Sequence, residues 1–281
     1  MPRRWVAAVA CLAALVALAC EGGGTASPRP SGGSPPPGGP AVLTALGDSI
    51  TTGFGSCLVL IACMRNSWST GNGVRVESHY QRLHDDNPRL RAYNHAEPGA
   101  RAAELTGQAE AAVRDKADYV TVLIGANDAC RGDVNSMTPV ATFRTRVDQG
   151  LRVLRKGRPK ARVLVVSIPD LYRLWEVGHT ESRAVRAWSH GICPALLADP
   201  TSTAPAAVAR RTAFRQRIDD YDAQLRAACR AYGSRCRYDG GAVHRLRFDL
   251  DLVNTLDWFH PSVTGQNRLA EVSWPAAGWS H

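Results

Sequence analysis

Two short segments near opposite ends of the chain hold residue types that together could activate a serine. Ser49 lies in the first, Gly47-Asp48-Ser49-Ile50-Thr51, and Asp257 and His260 lie in the second. A nucleophilic serine needs a base to take its proton, and that base needs an acid to orient its ring. A spacing of three residues lets one turn present Asp257 and His260 together. The pattern therefore indicates a Ser-His-Asp triad suited to acyl transfer.

The rest of the body alternates apolar runs with helical periodicity, which is the pattern of an α/β fold. Strands are predicted at 41–46, 91–96, 119–124, 162–168 and 236–238, and helices at 78–87, 101–116, 138–156 and 205–232. Strands that alternate with helices favour a parallel sheet with helices on both faces, a three-layer α/β/α sandwich. No internal repeat interrupts this order.

Three candidate polar groups follow successive strands of the predicted sheet. Ser49 follows the first strand, Gly99 the second and Asn127 the third. Ligands of parallel sheets bind beyond the carboxyl ends of the strands, so we expect these residues at one rim. Backbone N–H groups of Ser49 and Gly99 and the Asn127 amide could then form an oxyanion hole. The alternatives are a helix cap at Ser49, an Asx turn at Asn127 and a simple turn at Gly99.

Two long stretches, 52–77 and 171–204, are predicted to be irregular and to fold over this rim. They contain several aromatic residues, including Trp68, Tyr172, Trp175 and Trp188. These side chains either line a pocket for an acyl group or glycan, or pack as ordinary loop residues.

Four segments resemble, in order, the sequence blocks of the SGNH (GDSL) hydrolase family. The segments are 47–49, 94–100, 125–128 and 257–260. The resemblance spans most of 41–270, and the cysteines and long inserts resemble those of secreted, disulfide-bearing actinobacterial esterases and lipases. The α/β-hydrolase elbow G-x-S-x-G does not fit, because Thr51 stands at its last position and Ser49 precedes most strands.

The resemblance implies a flavodoxin-like parallel sheet and a serine esterase that works through an acyl-enzyme. By this resemblance Ser49 is the nucleophile, His260 the base and Asp257 the acid. Ser49, Gly99 and Asn127 would be the oxyanion donors, and no metal or cofactor is needed.

Three neighbouring polar residues are interpreted as supports rather than reactants. Asp48 and Asp128 are predicted to make local hydrogen bonds. His95 is interpreted as a bystander because no acid stands three residues before it.

The first 20 residues read as an export signal. Arg3 and Arg4 precede an apolar run of about fourteen residues at 6–19, which is short for a membrane span. Cys20 follows Ala17-Leu18-Ala19, which resembles a bacterial lipobox with Ala17 where leucine is expected. We therefore predict lipidation of Cys20, with ordinary secretion as the alternative.

The next segment, 21–40, is predicted to be a disordered linker, since sixteen of its twenty residues are Gly, Pro or Ser. It leads into a single hydrolase domain at 41–281. Together, the signal and linker predict an extracellular enzyme tethered to the outer face of the cell membrane, and otherwise secreted.

Six cysteines remain in the body, and an even number in an exported chain indicates disulfides. Sequence proximity pairs Cys57 with Cys63 and Cys229 with Cys236, which leaves Cys130 with Cys193. Six cysteines allow fifteen pairings, so other links stay open. A metal site is the weaker alternative because no CxxC motif accompanies them.

The formal net charge is +9, and this basic balance could favour anionic lipid heads or wall polymers, but the scatter of the arginines favours an ordinary basic surface instead. The arginines are scattered and nothing resembles a nucleic-acid module, so no nucleic-acid partner is expected. We expect a monomer that acts on acyl lipids. An O-acetyl esterase of polysaccharide is the first alternative, and a non-catalytic binding lipoprotein is the second.

Overall fold

The computed structural model describes residues 39–279. The predicted export signal, Cys20 and nearly all of the predicted linker lie outside the described residues. The strands are β1 (Val42–Gly47), β2 (Arg91–Asn94), β3 (Tyr119–Leu123), β4 (Arg162–Val165) and β5 (Cys236–Tyr238). The helices are α1 (His79–Asp86), α2 (Leu105–Arg114), α3 (Ala126–Ala129), α4 (Val140–Gly157), α5 (Leu171–Gly178), α6 (Ser182–Trp188), α7 (Pro194–Leu197), α8 (Pro205–Tyr232) and α9 (Val263–Ala277).

The five strands form one parallel sheet in the order β2-β1-β3-β4-β5. Leu43, the second residue of β1, pairs with Ala92 on one side and Tyr119 on the other. Every residue of β1 and β3 is buried, as expected for central strands that are covered on both faces. The sheet confirms the predicted α/β/α class, and its order places the ends of β2, β1 and β3 side by side.

Helices that pack against each other flank the sheet. The helices α2, α4 and α8 lie side by side in that order. On α1, His79 bonds both Tyr119 of β3 and Ser273 of α9, at 2.8 and 2.9 Å. Burial lowers the pKa of His79 to about 3, so the ring is neutral and acts as one donor and one acceptor.

The longest helix, α8, has the predicted bounds and the predicted apolar face. Phe214, Ile218, Tyr221 and Leu225 are buried along it, at intervals of four, three and four residues. The chain leaves the helix at Gly233, whose φ of 105° favours glycine.

The segment 171–204 is not irregular as predicted, since it contains α5, α6 and α7. Side-chain caps begin two of these helices: Asp170 accepts from the Arg173 N–H, and Glu181 accepts from the Arg183 N–H. Their apolar faces are short, which is why the periodicity did not reveal them.

The last helix, α9, was also missed, because Pro275 lies inside it. Its start is well defined by Ser262, whose hydroxyl accepts from the Gly265 N–H. Gly265 allows α9 to approach the preceding turn, since a Cβ there would lie 2.1 Å from the Leu252 carbonyl oxygen. This helix carries Gln266, one of the side chains that hold the serine loop, residues 47–54.

The three disulfides pair as sequence proximity favours. Bonds join Cys57 to Cys63, Cys130 to Cys193 and Cys229 to Cys236. The second bond connects the end of α3, on the predicted rim, to the start of α7. Within residues 39–279, no helix is both long and apolar enough to span a bilayer.

Candidate active site

A continuous chain of hydrogen bonds joins the three residues of the predicted triad. The Ser49 Oγ lies 2.8 Å from Nε2 of His260, and Nδ1 of His260 lies 2.7 Å from Oδ2 of Asp257. A carboxylate can only accept, so Nδ1 carries the proton and Nε2 is left to accept from the serine hydroxyl. Ser49 and Asp257 are buried, whereas the His260 side chain is 17% exposed. The geometry is that of a serine held ready for deprotonation.

Asp257 is held as a carboxylate by donors on its second oxygen. Its Oδ1 accepts from the N–H groups of Phe259 and His260, at 2.9 and 3.0 Å, and from Nδ2 of Asn254 at 2.9 Å. Burial alone would raise the pKa of Asp257, but the hydrogen bonds from the His260 side chain and these backbone N–H groups outweigh it. The pKa of Asp257 is therefore below its ordinary value, and the residue is charged at neutral pH.

The turn that carries Asp257 and His260 is organised by Asn254. Its Oδ1 accepts from the N–H groups of Leu256 and Asp257, and its Nδ2 also donates to the His260 carbonyl. Asn254 thus replaces the hydrogen bonds that a regular helix would supply. Asn254 was not predicted, although an asparagine three residues before the acid is a recognisable Asx-turn signal.

Backbone strain accompanies this turn at Trp258. Its φ is 54°, a conformation that bulky side chains rarely adopt. The Trp258 N–H donates to the Asn254 carbonyl, and the Trp258 carbonyl accepts from the indole N–H of Trp188, each at 3.0 Å. Two fixed partners therefore maintain the strained residue between Asp257 and His260.

The serine loop begins at a glycine that no other residue can replace without distortion. Gly47 has a φ of 148°, and a Cβ there would lie 2.2 Å from the Leu123 carbonyl oxygen on β3. The Gln108 side chain on α2 bonds both the N–H and the carbonyl of Gly47, at 2.8 and 2.9 Å. The end of β1 is thus fixed by β3 and α2 together.

A second glutamine holds the other side of the serine loop. Gln266 on α9 donates to the Ile50 carbonyl at 2.8 Å and accepts from the Trp68 N–H at 2.9 Å. The Trp68 indole in turn donates to the Thr51 hydroxyl. Gln108 and Gln266 were not predicted, because a lone glutamine in a helix carries no sequence signal for such a role.

Two phenylalanines contact the imidazole of His260. The ring centroid of Phe54 lies 4.7 Å away, and that of Phe259 lies 5.1 Å away in an edge-on arrangement. These contacts limit rotation of the imidazole and reduce its access to water. Phe54 is part of the serine loop, since its N–H donates to the Ser49 carbonyl.

The candidate oxyanion donors lie in the segments that follow three neighbouring strands, with Asn127 in the short helix α3. Among the described residues, neither the Ser49 N–H nor the Gly99 N–H has a hydrogen-bond acceptor. Asn127 donates from Nδ2 to the Ala100 carbonyl at 3.1 Å, which ties it to the Gly99 turn and leaves its second amide hydrogen available. Gly99 has a φ of 84° and open space where a Cβ would stand. Free donors of this kind are what a developing oxyanion requires.

The two aspartates interpreted as supports do make local hydrogen bonds. Asp48 accepts from the Ile50 N–H at 3.0 Å, and Asp128 accepts from the Ala102 N–H at 2.8 Å. Burial raises the pKa of Asp48 to about 7, and the nearby Asp128 carboxylate adds to this effect. Burial also raises the pKa of Asp128. These bonds brace the loops that follow β1 and β2.

His95 is paired elsewhere, as expected of a bystander. Its Nε2 lies 2.6 Å from Oδ2 of Asp115, at the end of α2.

An apolar cleft adjoins the imidazole of His260. Apart from His260, its lining residues are Ile50, Pro169, Asp170, Leu171, Leu174, Phe248, Val253, Phe259 and Pro261. Its free volume is about 20 Å³, little more than one water molecule needs.

The loop aromatics take no part in this cleft. None of Trp68, Tyr172, Trp175 and Trp188 lines it, and both Trp68 and Trp188 are buried in the core. Loop packing, one of the two alternatives, therefore applies to Trp68 and Trp188.

Comparison with known proteins establishes the family of this chain and agrees with its fold. The model of the GDSL-like lipase/acylhydrolase family matches residues 45–268, which is most of the chain. The protein therefore belongs to this family and is a carboxylic ester hydrolase, as the four sequence blocks imply. No curated protein matches the chain.

Solved structures share the fold at low sequence identity. A catalytic mutant of Axe2, an acetylxylan esterase from Geobacillus stearothermophilus, is 17% identical with a TM-score of 0.52, over 85% of this chain and 94% of that one. LAE5, an α/β hydrolase enzyme from the metagenome of Lake Arreo, is 20% identical with a TM-score of 0.52, over 84% and 94%. At these identities the likeness establishes the fold alone.

Proposed function

We propose that the protein hydrolyses esters of acyl lipids through an acyl-enzyme formed on Ser49. The observation that carries this proposal is the Ser49–His260–Asp257 hydrogen-bond chain beside an apolar cleft. The chain can activate the serine, and the apolar side chains that line the cleft give the surface beside His260 an apolar character.

In the proposed reaction, Nε2 of His260 takes the Ser49 proton while Oγ attacks the ester carbonyl carbon. The carbonyl oxygen becomes an oxyanion that the N–H groups of Ser49 and Gly99 and the Asn127 amide stabilise. The carbon–oxygen bond to the alcohol then breaks, and His260 returns the proton to the leaving alcohol. Water then attacks the acyl carbon while His260 takes a proton from it. The bond between that carbon and the Ser49 Oγ breaks, His260 returns the proton to Ser49, and the carboxylic acid leaves.

Labelling with a fluorophosphonate tests the nucleophile directly. We expect the probe to modify the wild-type protein at Ser49 and to leave Ser49→Ala and His260→Ala unlabelled, with loss of short-ester hydrolysis in both variants. Full activity in Ser49→Ala would disprove the mechanism. A wild-type protein that the probe does not label would favour the non-catalytic binding lipoprotein.

A second candidate, an O-acetyl esterase of polysaccharide, is favoured by the small free volume of the cleft. An acetyl group needs far less space than a long acyl chain, and one of the structures of similar fold is described as an acetylxylan esterase. Hydrolysis rates for a series from acetyl to palmitoyl esters separate the two. A preference for acetyl alone would support the second candidate and contradict the first.

The proposed location is outside the cell, with the domain tethered to the membrane through a lipidated Cys20 and the segment 21–40. The apolar run at 6–19 and the lipobox-like residues support this proposal. Mass spectrometry of the exported N-terminus tests it: a diacylated Cys20 is expected, and a free N-terminus elsewhere would favour plain secretion.

We further propose that the protein is a monomer and has no nucleic-acid partner. Light scattering checks the first statement, and a DNA-binding assay checks the second.

A further inference from the structure

Exposed hydrophobic side chains are concentrated in one segment of the surface. Of the eight large hydrophobic residues that are exposed in the described part of the chain, six lie between positions 58 and 74. They are Leu58 (77% exposed), Val59 (48%), Leu60 (50%), Ile61 (60%), Met64 (40%) and Val74 (94%). Single exposed hydrophobic residues need no explanation, but a contiguous group marks an interaction surface.

The backbone of this segment is well anchored, so the exposure does not come from a frayed loop. The disulfide between Cys57 and Cys63 closes what we call the 57–63 loop. The Ile61 carbonyl accepts from the Gly55 N–H at 3.1 Å, and the Cys63 N–H donates to the Thr52 carbonyl at 3.0 Å. The fold therefore holds four consecutive aliphatic residues, 58–61, toward solvent.

Two arginines lie on one side of the loop. Residues 49–76 contain no aspartate or glutamate but include Arg65 and Arg75. Both arginines line one surface depression together with Leu58 and Val74. Within residues 39–279, no carboxylate lies at ion-pair distance from either arginine. Apolar side chains beside unpaired cations match a lipid surface with anionic head groups.

The chemistry of the patch distinguishes a lipid from a protein partner. Protein interfaces are enriched in aromatic side chains and carry about one hydrogen bond per 100–200 Å². The exposed residues 58–61 are all aliphatic, without an aromatic ring or a polar side chain. The hydrocarbon of a lipid layer forms no hydrogen bonds and adapts its shape to the inserted side chains. It therefore suits an aliphatic loop better than a protein partner does.

The loop also lies close to the ester site along the chain. Phe54 stands three residues before Cys57, and its ring contacts His260 at 4.7 Å. The Ile61 carbonyl accepts from the N–H of Gly55, which packs against Asn254, so the loop adjoins the turn that carries Asp257 and His260. A lipid surface that receives the loop would lie beside that turn.

We propose that the 57–63 loop, with Met64 and Val74, inserts into a lipid surface, while Arg65 and Arg75 contact anionic head groups. This binding goes beyond the proposed function, since it requires neither the nucleophile nor any particular ester.

Co-sedimentation with vesicles of phosphatidylcholine and phosphatidylglycerol tests the proposal. The exported full chain carries Ser49→Ala, so that the lipid is not hydrolysed, and Cys20→Ser, so that no acyl group is attached there. In this background Val59→Asp should weaken binding about tenfold or more, because it replaces an inserting aliphatic group by a charge. Val208→Asp on α8 is the matched control, since Val208 is 46% exposed, and it should bind as the parent does.

Substitution of the two arginines tests the contribution of anionic head groups separately, in the same assay. Arg65→Gln with Arg75→Gln should reduce binding to the mixed vesicles severalfold and change binding to pure phosphatidylcholine much less. Hydrolysis of a soluble acetyl ester by Val59→Asp, with Ser49 retained, should equal that of the wild type and show an intact fold.

Three results would overturn the proposal. The first is a parent that does not bind the vesicles, and the second is equal binding by Val59→Asp. The third is a dimer in light scattering that Val59→Asp dissociates, which would mean that a second copy covers the patch. None of these three results depends on ester hydrolysis. A failure of the lipid-binding proposal can therefore be told apart from a failure of the proposed esterase function.

Discussion

At the scale of single residues, Asp257 controls the proposed base through geometry and charge. It holds the proton of His260 on Nδ1, so that Nε2 faces Ser49. It also stabilises the positive charge that the imidazole gains during the reaction. The three donors on its other oxygen keep it charged and fixed in place.

We predict that Asp257→Asn lowers kcat by about 10⁴-fold, because an amide can donate to Nδ1 and stabilise the unproductive tautomer. Steady-state hydrolysis of a soluble short ester measures the change. Asp251→Asn, an exposed position six residues earlier, serves as the control and should keep full activity. Activity within tenfold of wild type in Asp257→Asn would contradict the role.

Asp48 gives a prediction about the pH dependence of stability. Burial raises its pKa from 3.8 to about 7 in the folded protein, so the fold binds its proton more tightly than the unfolded chain does. Its contribution to the free energy of unfolding is therefore present at low pH and is lost as pH rises from about 4 to about 7.

In Asp48→Asn, this part of the pH dependence should disappear. Wild type loses this contribution as pH rises from about 4 to about 7, whereas the variant has none to lose. The free energy of unfolding of the variant minus that of wild type should therefore increase over this pH range. Urea denaturation at several pH values measures it, with Asp251→Asn as the control that retains the wild-type profile. A parallel profile for Asp48→Asn and wild type would contradict the assignment.

At the scale of elements, the carboxyl end of β1 depends on two neighbours at once. Gly47 lies against the β3 backbone on one side, and Gln108 of α2 bonds its peptide groups. Gln266 of α9 then fixes the Ile50 carbonyl just beyond Ser49. Three elements from different parts of the chain thus determine where the serine stands.

Gly47→Ala should disturb this element strongly. The Cβ of the new alanine would overlap the Leu123 carbonyl oxygen, and the φ of 148° at this position is unfavourable for alanine. We expect a loss of about 1–3 kcal/mol in the free energy of unfolding and a reduced kcat as Ser49 moves. Urea denaturation and steady-state kinetics on the same preparation measure both.

The matched control is Gly132→Ala, at an exposed position where a Cβ meets no atom within 4 Å. It should change neither the stability nor kcat appreciably. Wild-type values in Gly47→Ala would show that the end of β1 tolerates a shift.

At the scale of the whole molecule, the disulfide between Cys130 and Cys193 connects the rim of the sheet with the α5–α7 segment. It spans 63 residues of sequence, whereas Cys229 and Cys236 are separated by seven. In the chain-entropy description, the longer loop is worth roughly 4 kcal/mol and the shorter one roughly 2.5 kcal/mol.

Replacing both Cys130 and Cys193 by serine should therefore destabilise the domain more than replacing both Cys229 and Cys236. Urea denaturation of the two double variants under the same conditions gives the comparison. A smaller loss for the Cys130–Cys193 pair would mean that packing of α7 alone holds that segment.

The sequence by itself determined the class of fold, the family and the candidate triad. Strand and helix periodicity reflects burial, which is a local property of each segment, and the bounds of α8 were therefore predictable. The spacing of Asp257 and His260 is also local, because a single turn carries both. The pairing of nearby cysteines followed from proximity along the chain.

Only the tertiary structure decided what holds these groups in place. Gln108 and Gln266 act on the serine loop across 61 and 216 residues, a distance that no local pattern encodes. The short helices α5–α7 and the Pro-containing α9 form because they pack on the sheet and on one another, which propensity alone does not reveal. The exposure of residues 58–61 is likewise a tertiary result, since an apolar run in sequence ordinarily predicts burial.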